Sequence, residues 1–424
     1  MKNLLKPFFL FCLLSVTFFA CDDFDDVKVD DNENEYMVDD NLIVTYPQFT
    51  ITATMGGIAS AYPDFATVSD KFTSGVEIYK ITYNTTFDDK DVVASGLVCI
   101  PTTGGTYPLM SFQNGTNTLH SMAPSESVDD DILSLPQKIA NGEGLFSILG
   151  MMASSGFVVA IPDYLGFGAS DDMFHPYLHA ESTIQSVTDM LRAVKEFMAE
   201  NESVSISNDL YITGYSQGGW STMQLQKAIE TEYSNEFNLK ASACGAGPYD
   251  ITTVTETVAT ASEYPMPYFL AYLFNSYEKL GMETPIDSVF RQPYADKISG
   301  LFDGNHSGAD INGELTTVVA DLFQPDFIAN WTTGETFASL RSMMRENSIE
   351  GYNTNVPTLL VHGTADIYVP PVLSTDLHQQ FMDKGVSSDL VMLKPLPGLD
   401  HTGAIMPAEL AAIVWFIQLR DGEI

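Results

Sequence analysis

Strand-like and helix-like segments alternate along most of this chain, and that alternation limits the folds it can adopt. Val76–Phe87 and 91–101 alternate apolar and polar residues as paired strands do, while YPLMSFQNG and GFVVAIPDYLG are short apolar runs bounded by Gly or Pro, as buried parallel strands are. Helical periodicity appears around 132–152 and over 181–200. The pattern predicts an α/β fold, with a mostly parallel sheet flanked by helices on both faces.

The size and composition of the chain agree with one α/β domain that carries an insertion. Its 424 residues can bury a sizeable core, and 45% hydrophobic residues favour a packed globule despite a formal net charge of −37. The 56 acidic residues against 19 basic ones repel phosphate backbones. We therefore expect no nucleic-acid partner.

The first twenty residues are typical of a secretory signal. Lys2 and Lys6 precede an apolar run over 8–20 that is too short to span a bilayer comfortably. Cys21 follows Ala20 directly, and FFAC resembles the lipobox of bacterial lipoproteins. We expect residues 1–20 to be removed and Cys21 to be lipidated; the alternative is an ordinary secretory signal followed by a chance Cys.

An acid-rich segment follows the signal. Residues 21–40 contain ten acidic residues and one Lys, a composition that cannot bury enough apolar surface to order itself. We expect residues 21–45 to be a solvated tether and residues 46–424 to form the folded domain. Acids directly after the lipidated Cys resemble the surface-export signals of some Gram-negative bacteria, although a plain acidic linker explains them nearly as well. The expected location is the cell envelope, at the outer membrane, with either orientation open.

Two cysteines remain after the signal and Cys21. Cys99 and Cys244 lie in apolar, strand-like runs whose spacing matches no metal motif. We expect two buried thiols, no disulfide framework, no metal and no cofactor.

The segment DLYITGYSQGGW, residues 209–220, places Ser216 between a predicted strand and a predicted helix. Gly214 and Gly218 would remove Cβ clashes around a strained Ser whose Oγ projects from the edge of the sheet. In this context Ser216 is a candidate nucleophile. The simpler alternative is a polar residue in a tight turn.

A serine nucleophile needs a base, and His401 is the candidate among the seven His. It lies in PLPGLDHTGA, between the last predicted strand and the terminal helix. The alternative is a hydrogen-bonded loop residue. Of the other six, four lie too early in the chain or in a predicted insertion: His120, His175, His179 and His306. His378 lies on a predicted helix, and His362 ends a predicted strand.

The third residue of a triad should orient the base and balance its charge. Asp366 follows the buried strand in PTLLVHGTADIYVP and is the first choice. Asp250, after the preceding strand, is the rival. Asp400 adjoins His401 and is poorly placed to reach its ring, and Asp163 more simply orders its own loop.

The order Ser216, Asp366, His401, with GYSQGG, HGTAD and GLDH after successive strands, resembles the α/β-hydrolase superfamily over roughly residues 70–424. Within it, IPDYLGFG and HPYLHAES resemble the secretory lipase family, which acts on esters and triglycerides. That family has a QHGT-like segment whose backbone helps to build the oxyanion hole; this chain has QNGT at 113–116. The resemblance implies oxyanion donors at Gln217 and at Gly115 or Thr116, with Asn114 where His is common.

We expect a helical cap or lid insertion at about 248–355, which contains the apolar segment YPMPYFLAYLFNSY. That segment could be a lid, an acyl pocket or a core helix of the cap. The predicted function is a serine hydrolase that cleaves carboxylic esters of small molecules, lipids or acylated glycans through an acyl-enzyme. Two alternatives remain: a serine peptidase on the same scaffold, and a surface binding protein with a vestigial triad.

Overall fold

The computed structural model describes residues 34–128 and 144–424. The predicted signal, Cys21 and the first part of the helix predicted around 132–152 lie outside the described residues. The part of that helix that is described is α2 (Leu145–Met151), followed by a 3₁₀ turn at Met152–Ser155.

A nine-stranded sheet in the described part of the chain forms the centre of the fold. The first three strands in spatial order run antiparallel to their neighbours, and the later ones run parallel. This arrangement confirms the predicted mostly parallel sheet. The strands are β1 (Met37–Tyr46), β2 (Val76–Phe87), β3 (Lys90–Pro101), β4 (Gly105–Gln113), β5 (Val158–Pro162), β6 (Val204–Tyr215), β7 (Asn238–Gly245), β8 (Thr358–Gly363) and β9 (Val391–Leu396), in the order β1-β2-β3-β5-β4-β6-β7-β8-β9.

Helices cover both faces of this sheet, and an apolar cluster lies between each face and its helices. Besides α2, the α-helices of the described residues, including those of the connection between β7 and β8, are α1 (Gln48–Ala61), α3 (Ala180–Ala199), α4 (Gln217–Thr231), α5 (Ile251–Thr260), α6 (Pro267–Lys279), α7 (Ile286–Val289), α8 (Tyr294–Leu301), α9 (Gly308–Glu314), α10 (Val319–Leu322), α11 (Pro325–Asn330), α12 (Ala338–Asn347), α13 (Val372–Asp383) and α14 (Ile405–Asp421).

Apolar patterning explains where these elements form. Every residue of β5 and of β8 is buried, as expected for the continuous apolar runs of central parallel strands. In α3 the predicted stripe packs against the sheet through Val187, Leu191 and Val194. The predicted strand Val76–Phe87 has the observed bounds of β2.

The prediction of a tether up to residue 45 is wrong from residue 37 onwards, because β1 pairs antiparallel with β2. The acidic composition indicated a tether, but residues 37–46 form an edge strand. Met37, Val44 and Tyr46 are buried, whereas Asp39 and Asp40 point to solvent. Charges on an edge strand discourage pairing with other chains, so an acidic segment can still be a strand there.

Helices α5 to α12 occupy the connection between β7 and β8, in the region where the insertion was predicted. Their core is largely aromatic: Phe274 packs edge-on against Phe290 and Phe327, with ring centroids 5.4 and 5.8 Å apart. The apolar segment predicted within the insertion forms α6, whose residues from Leu270 to Tyr277 are all buried. This helix is therefore a core element of the cap.

Both remaining thiols are buried, as predicted. Burial raises the pKa of Cys99 and raises that of Cys244 to about 12, so both stay protonated and unreactive at neutral pH. Over residues 34–128 and 144–424, no helix combines the length and apolarity needed to cross a membrane.

A buried carboxyl on α14 couples the stability of this fold to pH. Burial raises the pKa of Glu409 to about 8, and the Thr213 hydroxyl on β6, which donates to its carboxyl at 3.3 Å, offsets only part of that effect. The folded protein thus keeps a proton that the unfolded chain loses near its ordinary value of 4.5. Stability should consequently fall as the pH rises from about 4.5 to about 8.

We expect Glu409→Gln to remove this loss, because the amide is neutral at every pH and can still accept the Thr213 hydrogen bond. The gain over wild type should be absent at pH below 4.5 and reach on the order of 5 kcal/mol in alkaline buffer. Urea unfolding across this range measures it, with the exposed Glu283→Gln as a matched control. Parallel pH profiles for wild type and Glu409→Gln would show that Glu409 is ionised in the folded state.

Candidate active site

Ser216 lies at the sharp turn between β6 and α4, in a strained backbone conformation with φ 60° and ψ −122°. Two glycines make this turn possible. A Cβ atom at Gly214 would lie 2.4 Å from the Gln113 carbonyl oxygen, and one at Gly218 would lie 1.9 Å from it. Only residues without a Cβ allow the backbone at the end of β4 to approach so closely.

Ser216, His401 and Asp366 form one buried hydrogen-bonded chain. The Ser216 Oγ lies 2.9 Å from His401 Nε2, and His401 Nδ1 lies 2.6 Å from Asp366 Oδ2. Both distances lie within reach of direct proton transfer or a charge-assisted hydrogen bond. These three residues lie in three separate segments of the sequence, and the fold brings them together at the carboxyl edge of the sheet.

The Asp366 carboxylate is held by hydrogen bonds on both oxygens. Its Oδ1 accepts from the backbone N–H groups of Tyr368 and Val369, each at 2.9 Å. Its Oδ2 faces His401 and His362. Burial alone would raise the pKa of Asp366, but the hydrogen bonds from the two His side chains and from Val369 outweigh it and lower the pKa to about 2. Asp366 is therefore a carboxylate at neutral pH.

His362 is a site residue that sequence reasoning missed, because it was interpreted only as the end of a strand. Its Nε2 lies 3.2 Å from Asp366 Oδ2 and 2.8 Å from the Val369 carbonyl oxygen, and its Nδ1 lies 2.7 Å from Ser374 Oγ. Two acceptors at Nε2 fix the proton on that nitrogen. The spacing in the sequence could have indicated this contact, because His362 precedes Asp366 by only four residues and a turn at the end of β8 separates them.

The loop that carries His401 is fixed by aromatic side chains. The Tyr215 hydroxyl donates to the His401 carbonyl oxygen at 2.8 Å, and its ring centroid lies 5.2 Å from the imidazole. The Tyr368 ring lies 5.7 Å from the same imidazole. These contacts hold the His401 imidazole in position.

The rival acids have other contacts. Asp250 caps the first turn of α5 by accepting from the Thr253 N–H at 3.1 Å and from its hydroxyl at 2.7 Å. Asp400 accepts from the Gly403 N–H. Asp163 accepts from Ser95 on β3 and from Ser125, so its side chain joins two other segments to its loop. Of the four acids considered, Asp366 is the one in hydrogen-bond contact with the His401 ring.

The predicted oxyanion segment lies beside the nucleophile. A Cβ atom at Gly115 would lie 3.8 Å from Ser216 Cβ, so the backbone there is in close contact with the turn. The Thr116 hydroxyl is 2.8 Å from the Tyr177 hydroxyl. Gln217 is the first residue of α4, where a backbone N–H has no acceptor within the helix. Asn114 donates to the Pro162 carbonyl at 3.0 Å and so anchors the segment to the end of β5.

His175, in the HPYLHAES segment, supports the residue after the nucleophile. Its Nδ1 lies 2.7 Å from the Leu165 carbonyl, and its Nε2 lies 2.9 Å from Gln217 Nε2. Burial lowers the pKa of His175 to about 4, so the ring is neutral, with Nδ1 donating to Leu165 and Nε2 accepting from Gln217. The segments IPDYLGFG and HPYLHAES thus form one packed support for Gln217.

Two cavities meet at Ser216. The large pocket has a volume of about 790 Å³ and is open to solvent; its walls include Gly115, Thr116, Ser216, Phe269, Tyr368 and His401. The small pocket has a volume of about 30 Å³ and lies under the cap; its walls include Tyr177, Leu178, Ser216, Val254, Leu270 and Leu273. In the described ranges, no group of three or more His, Cys, Asp or Glu side chains could hold a metal ion.

Together these features can activate a serine hydroxyl against a carbonyl carbon held in a largely apolar cleft. Ser216 is within hydrogen-bond reach of His401, and His401 is within hydrogen-bond reach of Asp366. The backbone at Gly115 and at Gln217 lies beside Ser216. The chemistry that fits this arrangement is acyl transfer.

Comparison with known proteins agrees with this chemistry. The secretory lipase family matches residues 137–423. No sequence among the curated proteins matches the chain.

Several solved structures share the fold. A Legionella pneumophila protein named as a hydrolase is 27% identical, with a TM-score of 0.74 over 91% of this chain and 98% of its own. A mutant of the rice cell wall degrading esterase LipA from Xanthomonas oryzae is 25% identical, with a TM-score of 0.76 over 93% and 100%. Candida antarctica lipase A in its closed state is 16% identical, with a TM-score of 0.62 over 92% and 83%. These matches confirm the predicted α/β-hydrolase fold.

Proposed function

This chain belongs to the secretory lipase family and is a carboxylic ester hydrolase, and from that premise we propose that it cleaves esters through a covalent acyl-enzyme on Ser216. His401 Nε2 takes the Ser216 proton as Oγ attacks the ester carbonyl carbon. The resulting oxyanion is stabilised by the N–H groups of Gln217 and of Gly115 or Thr116. Asp366 holds the imidazole in the reactive tautomer and balances its charge.

The tetrahedral intermediate then collapses. His401 donates its proton to the leaving alcohol oxygen, and the C–O bond to the alcohol breaks. In the second step His401 takes a proton from water as the water oxygen attacks the acyl carbon. His401 then donates that proton to Ser216 Oγ as the bond between Oγ and the acyl carbon breaks, which releases the carboxylic acid and regenerates Ser216.

The observation that carries this proposal is the unbroken hydrogen-bond chain from Ser216 Oγ through His401 to Asp366, at 2.9 and 2.6 Å. A panel of p-nitrophenyl esters beside aminoacyl p-nitroanilides tests it against the serine peptidase alternative. We expect kcat/KM for the best ester to exceed that for every anilide by about 100-fold or more. A preference for an anilide would favour the peptidase.

Small-molecule esters are the expected class of substrate, and we propose acylated glycans among them. Support comes from the large pocket, whose walls combine the polar residues Thr116, Asn117 and Thr402 with the aromatic residues Tyr268 and Tyr368. Sugars offer hydroxyls for such polar groups and apolar faces for such rings. The similar Xanthomonas oryzae protein is named as a cell wall degrading esterase.

We further propose that the protein is anchored by lipid at Cys21, with the acidic residues that follow it as a spacer. A lipid chain contributes about 0.8 kcal/mol per buried CH₂, so several chains hold a protein firmly at the membrane. Cys21→Ser should abolish incorporation of radiolabelled palmitate and block maturation by the lipoprotein pathway. Protease shaving of intact cells then reports whether the enzyme faces outwards.

The control for this experiment is Cys99→Ser, because that thiol is buried in the folded domain. It should leave palmitate labelling unchanged. If the wild type takes up no palmitate, Cys21 is not lipidated and the Cys after Ala20 is a coincidence.

A further inference from the structure

The two pockets that meet at Ser216 differ in whether the base reaches them. His401 is part of the wall of the large pocket, together with Gly115 and Thr116. The wall of the small pocket contains Ser216 but not His401. All of the residues that line the small pocket lie between 177 and 369, within the described part of the chain.

The proposed chemistry assigns the two arms of an ester to these pockets. The alcohol oxygen must receive its proton from His401 Nε2 as the C–O bond breaks, so the alcohol has to leave on the side where His401 lies. The acyl arm, on the other side of the carbonyl carbon, does not need the base. It can therefore extend from Ser216 into the small pocket.

The walls of the small pocket suit a hydrocarbon. Val254, Leu270 and Leu273 line it with buried aliphatic side chains. The tyrosine hydroxyls at its edge have partners elsewhere: that of Tyr177 lies 2.8 Å from Thr116 Oγ1, and that of Tyr264 donates to the Tyr368 carbonyl at 3.1 Å. An apolar group entering this pocket would displace no hydrogen bond of these hydroxyls.

The small pocket is also rigid. The Tyr177 ring stacks on Tyr272, with centroids 4.6 Å apart and an interplanar angle of 6°. Leu178 has a backbone φ of 51°, and its carbonyl accepts from the buried Tyr277 hydroxyl at 3.3 Å. Because these contacts hold the pocket walls in place, the walls cannot move apart easily to admit a longer acyl chain.

We propose that the small pocket is the acyl site and that it restricts the enzyme to short acyl groups, while the large pocket takes a bulky alcohol. The cavity of about 30 Å³ has room for roughly two to three non-hydrogen atoms at about 10–15 Å³ each. Acetyl to butyryl esters fit it, and octanoyl esters do not. This inference rests on the proposed acyl-enzyme at Ser216.

The test is a chain-length profile of kcat/KM with p-nitrophenyl acetate, butyrate, octanoate and laurate. For the wild type, we expect the maximum at acetate or butyrate and a loss of about tenfold or more at octanoate. A maximum at octanoate or laurate would overturn the proposal.

Leu270→Ala should enlarge the pocket by about three carbons and raise the octanoate-to-butyrate ratio of kcat/KM by about tenfold. Val254→Ala, a smaller change at a slightly exposed position, should raise the ratio less and serves if Leu270→Ala does not fold. The matched control is Leu340→Ala, a fully buried Leu of the same apolar cluster that is absent from both pocket walls. It should leave the ratio unchanged.

If the octanoate-to-butyrate ratio rose equally in Leu340→Ala, general loosening of the cap would explain the change, and the assignment of the pocket would be overturned.

Failure of this inference is distinguishable from failure of the proposed function. If the wild type hydrolyses esters through Ser216 but prefers long chains, only the acyl site is wrong. If ester hydrolysis survives in Ser216→Ala, the acyl-enzyme itself is wrong.

Discussion

Ser216→Ala is expected to lower kcat for p-nitrophenyl ester hydrolysis by about 10⁴- to 10⁶-fold, because no other group can form the acyl-enzyme. The fold should be unaffected. The hydroxyl bonds to His401 at the turn before α4, and Ala adopts the strained φ of 60° at a cost similar to that for Ser. Steady-state kinetics beside a thermal melt separates the two effects.

His401→Ala should be about as severe as Ser216→Ala, and the double variant should be little worse than either single one. The two residues act as one unit, so their effects on kcat should not add. Additive losses, or normal turnover by Ser216→Ala, would show that the hydrogen bond at 2.9 Å between them is not part of the reaction.

Asp366→Asn should lower kcat by about 10⁴-fold through the tautomer of His401. The N–H groups of Tyr368 and Val369 donate to the Oδ1 position and would keep the amide oxygen there. The amide nitrogen would then face His401 Nδ1 as a donor in place of an acceptor. His401 would carry its proton on Nε2 and could no longer accept the Ser216 proton.

Asp250→Asn is the matched control for this change. Asp250 caps α5, and an Asn at that position caps nearly as well, so kcat should change by no more than about twofold. If Asp250→Asn were the damaging variant and Asp366→Asn the mild one, the acid would come from the strand before the cap.

Two of the three residues in the hydrogen-bonded chain could be predicted from local patterns. Ser216 lies between Gly214 and Gly218 at a strand-to-helix junction, and Asp366 follows a short apolar run that favours a buried parallel strand. His401 was found by elimination among the seven His. Most of the candidate site could therefore be predicted from the order of these residues along the chain and from their positions at the ends of predicted strands.

What sequence reasoning missed depends on contacts between distant segments. The edge strand β1 is stabilised by pairing with β2 and by the Glu196 carboxylate, which accepts the Tyr36 and Met37 N–H groups at 2.9 and 2.7 Å. The acidic segment itself gives no sign that β2 and Glu196 are its partners. His362 reaches Asp366 only because the turn after β8 folds back. The small pocket likewise exists only once α5 and α6 pack over Ser216.

The most direct test of the central claim is intact-mass and peptide mass spectrometry after treatment with a fluorophosphonate, which traps activated serines. The account predicts one adduct per chain, on the peptide that contains Ser216, with complete loss of esterase activity and no adduct in Ser216→Ala or His401→Ala. An adduct on another residue, or full ester turnover by enzyme that carries the adduct on Ser216, would contradict it.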